Sequence, residues 1–204
     1  MRNVYKTVYL FNELSDEAKK NAREWYRHGC LNYEWWDCVY DDAKTIASLF
    51  GLSIDEIRFS GFWSQGDGAS FTGSYNYKKG GLKAVMSYAP NDEWLHAIVK
   101  KLQDLQRKHF YRLGASIRQS GLYVHEKSMS IDMTYKGDGF WRADGISADN
   151  WQDAEKELTE IMRDYARLIY RMLEREYEFI TSDENIDESL IVNEYEFTEN
   201  GKIY

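Results

Sequence analysis

Residues 57–77, IRFSGFWSQGDGASFTGSYNY, decide how the chain folds. Ile57 to Trp63 and Ala69 to Tyr77 are rich in aromatic and β-branched residues, which suit a pleated, half-buried surface. Between them Gly66, Asp67 and Gly68 suit a tight reversal. The stretch predicts a β-hairpin and, around it, an antiparallel sheet. A second hairpin is expected where Leu113 to Gln119 and Leu122 to Tyr135 flank Ser120 and Gly121. Upstream, Asn3 to Phe11 (NVYKTVYLF) reads as a further strand.

Helices are expected on either side of these strands. Ser15 precedes Asp16 and Glu17, placing an N-cap hydroxyl and two carboxylates at the positive end of a helix that Gly29 can close. Tyr33 to Phe50 carries Trp36, Val39, Tyr40, Ala43, Ile46, Ala47 and Phe50 at helical three-and-four spacing, with Gly51 as the stop. Leu82 to Ala89 is a short helical piece ended by Pro90, the sole proline. Asn91 to Arg112 has an apolar stripe from Trp94 to Phe110, and Lys100, Lys101, Arg107, Lys108 and Arg112 make the rest of it basic. A Gly- and Asp-bearing loop, Lys136 to Asn150, leads into the clearest helix, Trp151 to Ile180, about 45 Å long. The ending EYEFTENGKIY suits a small hairpin turning at Asn200 and Gly201. The expected class is α+β: an antiparallel sheet of about five to six strands with helices packed on it, a long C-terminal helix and an acidic tail. Residues 1–181 are expected to form a single α+β domain, with 182–204 as an acidic extension.

Composition narrows the function. A chain of 204 residues with 43% hydrophobic and 29% charged residues has enough apolar surface for one ordinary core, which excludes disorder and fibres. No stretch approaches the roughly 18 apolar residues of a membrane span, and the N-terminus has no apolar segment followed by small residues. No membrane partner is expected, and cytoplasm is the expected location. Cys30 and Cys38, the only cysteines, read as packing residues in a reducing compartment. The 7 Trp, 16 Tyr and 9 Phe exceed what decoration needs; core packing takes most of them and surface recognition the rest. This surplus, with the broad apolar stripe of Trp151 to Ile180, leads to the expectation of a homodimer.

The net charge of −8 is concentrated at one end, since residues 150–204 hold 6 Lys+Arg against 15 Asp+Glu. Within 182–199 the acidic residues are Asp183, Glu184, Asp187, Glu188, Glu194, Glu196 and Glu199, with no basic residue among them. Such an end is either a solvated face or a dock for a basic surface on a partner. It disfavours direct nucleic-acid binding, which rests on basic charge meeting phosphate; the basic stripe of 91–112 is the only feature that points the other way.

Catalytic fingerprints fail. There is no phosphate-binding G-x-x-x-x-G-K-[ST], no dinucleotide G-x-G-x-x-G, no H-E-x-x-H and no G-x-S-x-G. His28, His96, His109 and His125 are scattered, so neither a metal nor another cofactor is expected. His125 and Glu126, neighbours on an expected strand, should point to opposite faces. The hairpin 59–73 is the segment where a ligand is conceivable: its glycines allow close backbone approach, and Phe62 and Trp63 offer rings for stacking beside Ser64, Gln65, Asp67 and Ser70. The same residues also read as a twisted hairpin whose aromatics alternate into the core.

Taken together, YLFNELSDEAKKNAREWYR, FSGFWSQGDGASFTGSY, LQDLQRKHFYRLGASI and ITSDENIDESLIVNEYEF resemble a family of small phage and prophage proteins. The likeness covers nearly the whole chain, and many members carry the label antitoxin of a toxin-antitoxin stability system. The resemblance implies a neutralising protein and brings no catalytic residues with it. The expected function is therefore non-enzymatic: binding and neutralising a host toxin or antiviral defence component by direct contact, with Asp183, Glu184, Asp187, Glu188, Glu194 and Glu196 docking a basic partner surface. The alternative is a sponge for a nucleotide-type small molecule held by the hairpin 59–73.

Overall fold

The computed structural model describes residues 6–136 and 148–204. Two compact units share the chain, one made of residues 38–173 and the other of residues 1–37 with 174–204. Among the described residues the strands lie in two antiparallel sheets, one of four strands and one of two, so the α+β class holds. The expected loop 136–150 and the start of the expected strand 3–11 fall largely outside the described residues.

In the unit of residues 38–173, helix α2 (Asp37–Leu49) leads into strands β2 (Leu52–Phe59) and β3 (Ala69–Asn76). Helices α3 (Gly81–Tyr88) and α4 (Glu93–Lys108) follow, then β4 (Leu113–Gln119), β5 (Met129–Tyr135) and the first part of α5 (Ala148–Thr181). The sheet order is β2-β3-β4-β5. Alternation puts Leu113, Ala115 and Ile117 of β4, and Met129, Ile131 and Met133 of β5, on the buried face, while Ser116, Arg118 and Ser130 face water. Leu52 and Ile57 of β2 are both buried although an even number of residues lies between them, which in a regular strand would put them on opposite faces; a bulge between Ile54 and Glu56 resets the phase. Gly73 lies opposite that bulge, where a Cβ would meet the Ser53 carbonyl oxygen at 2.0 Å. At Gly51, the helix stop, the backbone has φ +92°, and its carbonyl accepts the Asn76 N–H at 2.9 Å, which brings β2 directly alongside β3.

The helices bury their apolar stripes on the inner face of this sheet. Tyr165 of α5 sets its ring 6.0 Å from Phe71 of β3 and 5.2 Å from Phe50, and its hydroxyl donates to the Ala43 carbonyl of α2 at 2.6 Å. Burial holds that phenol well above the usual tyrosine range. Leu158, Ile161, Met162 and Ile169 complete the buried stripe of α5, each worth about 1.5–3 kcal/mol of transfer free energy. Arg171 lies 4.1 Å over the Trp94 ring of α4. The fully buried Gln106 of α4 is the polar exception: its amide nitrogen donates to the Leu113 carbonyl at 2.7 Å and to the Tyr75 hydroxyl at 3.1 Å, while its oxygen accepts the Leu113 N–H at 3.2 Å.

Several expected boundaries move. The helix expected from Tyr33 begins at Asp37, after a turn in which the Trp35 N–H donates to the Tyr33 carbonyl. The strand expected over 57–63 lies at 52–59, and the tight reversal is a longer loop closed by a bond from the Ser60 N–H to the Gly68 carbonyl. The strand expected from Leu122 starts only at Met129. Residues 126–128 form a single 3-10 turn instead, because the His125 ring accepts the Lys127 N–H and the Ser128 hydroxyl accepts the His125 N–H, satisfying backbone groups locally. This overturns the strand-alternation argument for His125 and Glu126, whose side chains approach to 2.9 Å.

In the other unit, β1 (Tyr9–Leu10) pairs with β6 (Glu196–Phe197), and α1 (Asp16–Gly29) packs on α6 (Asp183–Val192). Ser15 caps α1 as expected, accepting the Ala18 N–H at 3.3 Å. Phe11, Leu14, Ala18, Ala22, Ile186, Leu190 and Phe197 form the core of this unit. The expected terminal hairpin is present as a bridge from Phe197 to Ile203 around Gly201.

The Gln106 geometry carries a prediction. Gln106→Leu, nearly equal in bulk, leaves the N–H and carbonyl of Leu113 unpaired in a dry site, at about 1–3 kcal/mol for each orphaned group. The urea midpoint of the full chain should fall accordingly, and an unchanged midpoint would show that water replaces the amide.

Candidate functional site

The residues singled out in hairpin 59–73 do not share one face. Phe62 packs between Phe59, at 5.7 Å, and Tyr170 of α5, at 5.4 Å, and the Tyr170 hydroxyl donates to the Gly61 carbonyl at 3.0 Å. Ser70 is buried and donates to Gln119 at 3.0 Å. Asp67 turns one carboxylate oxygen back on its own loop, accepting the Trp63 N–H at 2.8 Å and the Ser64 N–H at 2.7 Å. Ser64 and Gln65 are exposed, and Trp63 is 81% exposed.

This loop lies against the loop between β4 and β5, since the Ser60 hydroxyl donates to the Val124 carbonyl at 3.2 Å and a Cβ on Gly68 would meet the His125 ring at 2.9 Å. Trp63, Leu122 and Tyr123 thus stand exposed at one end of the sheet. Behind them Glu126 is buried and held by Arg167, whose Nε lies 3.2 Å away, and Arg167 also meets Asp164 at 2.7 Å. Every charge in that chain has a partner of opposite sign, the signature of a structural network.

The acidic residues divide by helix face. In α6, capped by the Ser182 hydroxyl, Asp187 binds Arg23 of α1 through two bonds of 2.6 Å, and Asp183 binds Arg27 at 2.6 Å. The bonds to Asp187 raise the Arg23 pKa further above its already high value. Successive helix residues are turned by about 100°, so Glu184 and Glu188 fall together on another face with Ile191 and Val192. All four are exposed, Ile191 at 43% and Val192 at 70%. Glu194 and Glu196 continue the acidic surface beyond the helix, both exposed.

A cleft of about 530 Å³ opens in the same unit. Trp25 and Tyr26 of α1, Tyr33, Phe179 at the end of α5, and Tyr195 form its aromatic wall. Trp25 meets Tyr195 edge-on at 5.5 Å and Phe197 at 6.0 Å, which fixes its ring. Glu176, Asn185 and Ser189 supply polar groups to the lining. Cys30 also lines it, and burial pushes its thiol pKa up. A volume of this size with aromatic walls and few polar groups has the form of a small-ligand or side-chain site. The sequence reading missed it. Its local trace is the crowding of Trp25, Tyr26 and Tyr33 around Cys30, but residues 176–195 reach it only through the fold.

Among the described residues no group of three or more His, Cys, Asp or Glu is placed to hold a metal ion, and no helix is long and apolar enough to cross a membrane. The hairpin geometry carries a prediction for two neighbouring rings. Trp63→Ala should leave thermal stability within about 0.5 kcal/mol, as for other exposed positions, whereas Phe62→Ala should cost about 1–2 kcal/mol through its lost ring contacts. Thermal unfolding of the two variants checks the difference, and equal losses would contradict the packing described.

No curated protein matches the chain, and no solved structure does. Residues 35–183 match the family model of a domain of unknown function, DUF8835, a span that takes in the whole four-stranded sheet and stops at the first residue of α6. The chain belongs to the DUF8835 family.

Proposed function

We propose that this is a non-enzymatic binding protein, antitoxin-like and of phage origin, that neutralises a host toxin or antiviral defence component in the host cytoplasm by direct contact. The observation that supports it is the outer face of α6: Glu184 and Glu188 lie beside exposed Ile191 and Val192 and, among the described residues, make no ion pair of the kind that occupies Asp183 and Asp187. A face that joins exposed carboxylates to exposed aliphatic side chains suits a partner surface that is basic at its rim and apolar at its centre. The resemblance to phage antitoxin-labelled proteins agrees with this reading. A sponge for a nucleotide-type ligand is the second reading, and exposed Trp63 favours it.

The division of the carboxylates makes the proposal testable. Photocrosslinkers at Glu188 and Val192, in cells of the bacterial host, should trap one protein whose growth inhibition the wild-type chain relieves. Glu184→Gln with Glu188→Gln should weaken that contact and flatten its salt dependence without altering thermal unfolding. Asp187→Asn should do the opposite, lowering thermal stability by about 1–2 kcal/mol through the lost charged bonds to Arg23. Relief of inhibition that survives in the double glutamine variant would remove α6 as the docking face, and loss of function on Trp63→Ala alone would favour the sponge.

A further inference from the structure

The aromatic cleft adjoins the face to which the partner contact is assigned. In α6, Asn185 and Ser189 line the cleft, and the helical turn places them next to Glu188 and Val192 on the circumference. A molecule docked on the outer face therefore stands at the mouth of the cleft. Its walls are Trp25, Tyr26, Tyr33, Phe179 and Tyr195, and among the described residues Glu176 is the one charged side chain lining it. Among the described residues no Lys or Arg lines it, and the two nearby arginines of α1, Arg23 and Arg27, are already bound to Asp187 and Asp183.

Faces of indole and phenol rings carry negative potential, and a carboxylate adds to it, so such a cleft selects a cation with a flat, weakly hydrated surface. Guanidinium meets both requirements: it stacks on aromatic rings and pairs two-pronged with a carboxylate, whereas ammonium is compact and strongly hydrated. The protein already makes this contact internally, where Arg171 covers Trp94 at 4.1 Å.

We propose that the cleft binds an arginine side chain presented by the basic partner, with the guanidinium against the aromatic wall and paired to Glu176. This rests on the reading that α6 meets a basic protein, and it names the anchoring residue of that protein by chemistry. Exposed rings at Tyr33 and Phe179, both 60% exposed, form the lip over which the side chain enters.

The test uses the full chain and a defined probe, the peptide acetyl-Gly-Arg-Gly-Arg-Gly-amide, with a citrulline peptide as the neutral isostere and a lysine peptide alongside. Binding is read from the indole N–H resonance of Trp25, identified by its absence in Trp25→Phe. Saturable shifts of that resonance at millimolar arginine peptide are expected, with little response to citrulline and a weaker one to lysine. Glu176→Gln should weaken arginine-peptide binding about tenfold, the equivalent of one desolvated cation contact. An equal response to citrulline, no shift with the arginine peptide, or unchanged affinity in Glu176→Gln would each overturn the proposal. Because Glu184→Gln with Glu188→Gln is read through the trapped partner and Glu176→Gln through the peptide, failure of the cleft and failure of the α6 contact are separate results.

Discussion

A backbone amide and carbonyl buried without partners is among the costliest arrangements a fold can contain, and Gln106 removes that cost where the sheet begins its second half. The side-chain amide matches Leu113 as a neighbouring strand would, one donor and one acceptor. Its remaining hydrogen reaches the Tyr75 hydroxyl, so α4, β3 and β4 meet at one hydrogen-bonded side chain. The phenol of Tyr75 is held above the ordinary tyrosine range by burial and is therefore a neutral partner at any physiological pH. Helix position and strand register are thus tied together, and the alternation that buries Ala115 and Ile117 follows from where Leu113 is held.

The other unit solves the same problem with charge. Arg23 is partly covered, lies 5.7 Å over the Phe11 ring, and needs an anion within reach; Asp187 supplies it. That pairing separates carboxylates that look alike in the sequence into those that hold the fold and those left to face outward. A net count of charge does not make this distinction, because the count is blind to helix face. What faces water is the remainder after the ion pairs between the helices have taken their share.

Much of this was readable in advance, for stateable reasons. Long periodic segments such as α5 and α4 declare themselves because their apolar stripes repeat over many turns, and Ser15 declares the start of α1 because a hydroxyl followed by two carboxylates fits few other roles. The helix α6 was not read: its buried contribution is only Ile186 and Leu190, set among acidic residues and the outward Ile191 and Val192 that blur the period. The turn at 126–128 was hidden by flanking residues that suit a strand, since what breaks the ladder is a side chain-to-backbone bond from Ser128 and His125. Among the candidate site residues, Trp63 is exposed and Phe62 is packed against other rings, although they are neighbours. Only the loop geometry set by Asp67 separates them. The aromatic cleft has no contiguous signature, because its two walls come from opposite ends of the chain.

That last feature bears on how the molecule is made. Arg23 and Asp187 are 164 residues apart in the chain, so α1 leaves the ribosome long before its partner helix is translated. Until then the small and apolar side chains of Phe11, Leu14, Ala18 and Ala22 have no cover from Ile186 and Leu190, while the sheet unit can already complete its own non-local pairings. The acidic face and the cleft come into existence together, and last. A nascent chain cut short by stalled translation or proteolysis therefore keeps a sheet but lacks both the outer face of α6 and the cleft, and carries instead an uncovered helix of the kind that quality-control proteases remove.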